Sequence, residues 1–87
     1  MQGKWDIQES VTEAGREIFE RVLRKWVGCR YDPIASAAQI TAEKAEYVFL
    51  AKSTMLDYDR TEGFVKICMV AVPAEAEPKV VNIARLV

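Results

Sequence analysis

The chain contains no histidine. That removes the commonest general base and the commonest metal ligand available to a protein. Cysteine is almost as scarce, with Cys29 and Cys68 far apart in sequence. Two isolated cysteines do not make a zinc site. They leave two readings, one disulfide or two reduced thiols acting as small apolar residues, and the second is favoured. No apolar run approaches the length needed to span a bilayer, so no membrane association is expected. Neither sign of charge dominates: 12 Lys and Arg stand against 13 Asp and Glu. With no basic cluster outside one helical stretch, nucleic-acid binding has no electrostatic footprint. The first ten residues lack a basic region followed by an apolar one, so they do not read as a signal peptide. A cytoplasmic protein is favoured for the chain as written, and a secreted one whose leader has been removed is the alternative.

What is present is ordinary for a small globular protein. Of 87 residues, 51% are hydrophobic and 29% charged, which is enough for one small core and no second domain. A single domain over 1–87 is expected, without internal repeats. Its clearest signal is the stretch from Ser10 to Gly28. Val11, Ala14, Gly15, Ile18, Phe19, Val22, Leu23, Trp26 and Val27 recur at three- and four-residue steps, the spacing of one wide apolar helix face. Glu17/Arg21 and Glu20/Arg24 have Glu four residues before Arg, the favourable order on a helix surface. Ser10 with Glu13 reads as a capping box, and Gly28 as the left-handed residue that ends the helix. A membrane-surface helix is the competing reading, but three Glu nearly cancel the four cations on the polar face.

Everything after Gly28 reads as strand. A short strand over Lys4–Gln8 leads into the helix, with Trp5 and Ile7 on one side. Cys29–Thr41 is a strand in which Pro33 marks an edge or a bulge. Ala42, Glu43 and Lys44 form a hairpin tip. Ala45–Asp57 alternates Tyr47, Phe49 and Ala51 against Val48, Leu50 and Lys52. Tyr58–Gly63 is turn material. Phe64–Val72 is the most apolar strand and belongs inside the sheet. Pro73–Pro78 is a turn and Lys79–Val87 the last strand. Strands joined by short turns pair antiparallel, and the helix needs their sheet as its partner. The expected fold is therefore α+β, one long helix across a curved antiparallel sheet of four to five strands.

Chemical motifs are few. The run from Asp57 to Gly63 hints at a calcium loop, yet Glu62 and Cys68 stand where such a loop needs glycine and Glu. Asp57 and Asp59 are a carboxylate pair on a hairpin turn, where solvation is the better reading. Tyr47, Phe49 and Phe64 lack the interleaved Arg or Lys of a base-stacking surface, so core packing is expected. Trp5 and Trp26 read as edge cover and core. No metal, no cofactor and no enzymatic activity are expected.

Laid out in this order, the chain resembles the cystatin superfamily, the small inhibitors of papain-like cysteine proteases. Gly3-Lys4-Trp5 is similar to a Gly-Gly-Trp near the start of several members. Tyr31-Asp32-Pro33 resembles a Tyr-x-Pro step that opens a strand. Gln39 to Glu43, followed by Tyr47 to Leu50, resembles the Gln-x-Val-x-Gly loop and the aromatic strand behind it. Ala71 to Ala74 falls where many members carry Pro-Trp, and Lys79 to Ile83 is similar to the closing strand. The resemblance implies a cystatin-like fold. It also implies reversible, non-covalent inhibition of a papain-like cysteine protease, through a wedge formed by Gly3, Gln39, Ile40, Thr41, Ala42, Glu43, Pro73 and Ala74. It further implies a first hairpin able to exchange between two chains as a domain-swapped homodimer. Strain at Glu43, if that position needs a positive φ, would favour the exchange. Glu43 stands in place of the loop glycine and Ala74 in place of the loop tryptophan. The alternative reading is therefore a non-inhibitory interaction or structural module on the same fold.

Overall fold

A computed structural model of the protein describes residues 5–8, 11–24, 28–56 and 60–86. Strand β1 (Asp6–Gln8) precedes helix α1 (Glu13–Leu23), and β2 (Cys29–Ile40), β3 (Ala45–Met55), β4 (Glu62–Ala71) and β5 (Lys79–Arg85) follow. The five strands form one antiparallel sheet in chain order, β1-β2-β3-β4-β5. This is the expected α+β arrangement of one helix on an antiparallel sheet. Short turns leave no other economical pairing, because parallel neighbours would need crossovers of a dozen or more residues.

The helix begins two residues later than the sequence suggests. Its cap is Thr12, whose Oγ1 accepts from Gly15 N at 3.1 Å, so Glu13 is the first helical residue. From there the Glu13 carboxylate cannot close a capping box, which requires the third helical position. It lies instead in the first turn, where the helix dipole favours an anion. Ser10 lies outside the described residues, as do Trp26, Val27, Asp57 and Asp59. Gly28 has the left-handed φ of 87° expected of it, but α1 ends earlier than the sequence suggests, at Leu23 with Arg24 as its C-cap, so Gly28 is not the residue that ends it.

Alternation in the strands delivers two faces. On one, Phe49 and Ala51 of β3 and Val65, Ile67 and Met69 of β4 are buried beneath Phe19 and Leu23 of α1. The Phe19 and Phe49 rings meet edge to face with centroids 5.0 Å apart, a favoured aromatic geometry. Tyr31, Tyr47, Val80 and Ile83 flank this core. β4 lies inside the sheet, as its composition suggests. Pro33 sits at a register shift between Pro33 and Ala35, the kind of strand site that tolerates a residue without a backbone donor. Trp5 is 43% exposed and stands outside the core.

The register settles the cysteines. Cys29 pairs with Met55 on the helix-covered face, and Cys68 pairs with Val48 on the other. Seven residues of β3 separate those rows, about 23 Å at about 3.3 Å per residue. No disulfide spans that distance, and both thiols are free.

Candidate functional site: one end of the sheet

Because β1 runs antiparallel to β2, its start lies beside the end of β2. β4 ends opposite the start of β3, with Ala71 paired to Ala45. The approach to β1, the β2–β3 turn and the β4–β5 turn therefore share one end of the sheet. Ile40 and Val72 flank the two turns and are 60% and 67% exposed. Trp5, just before β1, adds a third exposed apolar side chain there.

The β2–β3 turn holds itself. Thr41 N donates to Lys44 O at 2.9 Å, and Thr41 Oγ1 accepts from Lys44 N at 3.2 Å. Glu43 N also reaches Thr41 Oγ1 at 3.4 Å. A side chain thus closes a turn for which the resemblance implies a glycine. Among the described residues Arg60 is the non-glycine with positive φ, so Glu43 carries no such strain. Strain at this tip therefore offers no drive toward hairpin exchange. Lys44 pairs with Glu46 at 3.2 Å. Glu43 projects as an exposed carboxylate with no ion pair among the described residues.

The β4–β5 turn is braced from outside. Ala76 N donates to Pro73 O at 2.9 Å, and Pro78 is buried. Arg21 Nε on the helix donates to Glu77 Oε1 at 2.8 Å and to Oε2 at 3.1 Å. That hydrogen bond, and then the Glu77 charge, push the Arg21 pKa up. Of the two acidic residues in this turn, Glu75 is exposed without an ion pair among the described residues, whereas Glu77 anchors the turn.

The residues predicted for the wedge divide accordingly. Ile40, Ala42, Glu43 and Pro73 are exposed at this end. Gln39, Thr41 and Ala74 are half-buried, so Ala74 is not a projecting anchor. Gly3 lies outside the described residues. Val72 is more exposed than Ile40, yet in the sequence it reads as the end of a core strand. A shallow cleft of about 270 Å3 adjoins Ile40, lined by Thr12, Gly15, Ile18, Tyr47 and their neighbours. Among the described residues no group of three His, Cys, Asp or Glu is placed to hold a metal ion.

No family model, curated protein or solved structure matches this chain. Geometry at this end of the sheet and the resemblance in the sequence therefore carry the functional reading.

Proposed function

We propose that this end of the sheet docks into the active-site cleft of a papain-like cysteine protease and inhibits it reversibly, without covalent chemistry. The observation that carries the reading is the convergence, at one end of the sheet, of two short, internally held turns that expose Ile40, Val72 and Pro73. Rigid turns lose little entropy on binding, and apolar side chains at a tip gain most from entering a preformed cleft. Glu43 and Glu75 select the target. Their carboxylates must be desolvated on docking, so a cleft with a cationic rim suits them and a neutral one does not.

Titration of papain and of a cathepsin-type protease tests the proposal, using the parent chain and a Val72→Asp variant. Inhibition between about nanomolar and about micromolar protein is expected from the parent. Loss of an apolar anchor should weaken it by roughly a hundredfold. A Glu43→Gly, Ala74→Trp double variant restores the resembled loop residues. If parent and double variant both leave the proteases untouched, inhibition is wrong for this scaffold. If only the double variant inhibits, the second reading stands: a non-inhibitory module that binds through another surface. The exposed carboxylates Glu43 and Glu75 favour that second reading.

A further inference from the structure

We propose that the face of the sheet opposite the helix is a homodimer interface, two copies packing face to face about a two-fold axis that runs along β3. α1 covers only one face. Its opposite, read row by row from the register, carries Asp32, Lys52 and Phe64, then Ala35, Leu50, Lys66 and Ala84. Next come Ile7, Ala37, Val48, Cys68 and Asn82, then Gln39, Glu46, Val70 and Lys79. Ile7 is 74%, Phe64 44% and Leu50 42% exposed, so large apolar side chains on this face stand in water. Contiguous exposed apolar surface on a sheet marks a binding face more often than an idle one.

A second copy fits what is there in three respects. The first is relief. On β2 this face carries the small residues Ala35 and Ala37, and on β4 it carries the larger Phe64, Lys66, Cys68 and Val70. Rotation about β3 lays the β4 ridge of one copy over the β2 trough of the other, Lys66 above the second copy's Ala35 and Cys68 above its Ala37. The second is charge. Lys66 stands among apolar neighbours with no ion pair among the described residues. In the rotated copy the adjacent row holds Asp32, which its own Arg30 contacts at 3.4 Å and whose charge also acts on its cross-strand neighbour Lys52. The same operation therefore gives each Lys66 a carboxylate, twice per dimer, while Lys52 and Glu46, which meet their own copies on the axis, are already paired within each chain to Glu62 and Lys44. The third is area. Five strands at about 4.8 Å, and the β3 segment from Glu46 to Lys52, give a face of roughly 600 Å2 per copy once the bordering side chains are counted. Two faces bury roughly 1,200 Å2, the lower end of specific interfaces. Aligned packing of two sheets is the geometry such a pair adopts. A reversible dimer is the expected state, not a permanent one.

The test uses the full chain. Sedimentation equilibrium between about 10 μM and about 1 mM should show monomer and dimer exchanging. Leu50→Glu should abolish the dimer while leaving far-UV circular dichroism unchanged, and Lys66→Glu should weaken it about tenfold. Ala37→Cys in a Cys29→Ser background fixes the axis. Within one chain position 37 and Cys68 are separated by β3, about 10 Å, too far for a disulfide. Mild oxidation should therefore give a covalent dimer whose mass-mapped bridge joins position 37 to Cys68 of the other copy. A monomer throughout that concentration range overturns the proposal and leaves the face to a different partner. A dimer indifferent to Leu50→Glu overturns it in favour of hairpin exchange or edge pairing.

Discussion

The two faces of β4 differ by one residue of phase and lead opposite lives. Val65, Ile67, Met69 and Ala71 point toward α1 and are buried; Phe64, Lys66, Cys68 and Val70 point away and are exposed or half-exposed. Both sets are largely apolar, so hydrophobicity alone does not decide which becomes the core. The helix decides. Phe19 and Leu23 close over one face, and the other retains apolar surface without a cover among the described residues. An apolar side chain is a core residue only when another element arrives to remove its water.

Truncation should break this comparison if it is wrong. Ile67→Ala removes a fully buried side chain and is expected to cost about 2–5 kcal/mol, read as a shift of the urea midpoint at unchanged slope. Leu50→Ala, one strand away on the open face, should cost well under about 1 kcal/mol in the same experiment. Equal losses would mean that the open face is already covered in the monomer.

Removing the cap sharpens the comparison next, since it loosens the helix without touching either face. Thr12→Ala deletes the acceptor of Gly15 N and should lower stability by about 1 kcal/mol. Ser10→Ala should leave stability within about 0.5 kcal/mol of the parent, because Thr12 holds the cap. The reverse ranking in thermal melts would place the helix start at Ser10.

The smallest effect concerns pH. Burial first, and then the hydrogen bond and charge of Cys29, push the Tyr31 pKa above the ordinary tyrosine value. A raised folded-state pKa means that the neutral phenol is favoured in the native protein. Its contribution is complete below the unfolded-state pKa, near pH 10, and is lost as pH rises through the folded value. Stability of the parent should fall above about pH 10, and Tyr31→Phe should flatten that part of the profile. A variant that falls as steeply as the parent would assign the loss to other groups.

Much of this is legible in the chain because it is local. The 3.6-residue period of α1, the alternation of β3 and the polar or proline-bounded turns each lie within a dozen residues, and the strands end within two residues of their expected bounds. Gly28 and Pro33 behave as their backbone chemistry requires. The candidate end is legible in outline, since meander topology alone brings alternate turns together. Its details are not. Nothing nearby in sequence pairs Arg21 with Glu77, which lie 56 residues apart. Two hydroxyl residues, Ser10 and Thr12, offer equally good caps. At Glu43 a glycine-like turn is the natural expectation, and Thr41 closes it another way.

The sequence by itself therefore determined the elements, their order and the antiparallel meander, since period, turn chemistry and short connections are properties of neighbouring residues. Only the tertiary structure decided which apolar face the helix would cover. It also set the cysteines on opposite faces, tied Glu77 to the helix and left Val72 exposed at the tip. Each of those depends on the distance between residues far apart in the chain, and such distances exist only once the sheet has closed its register.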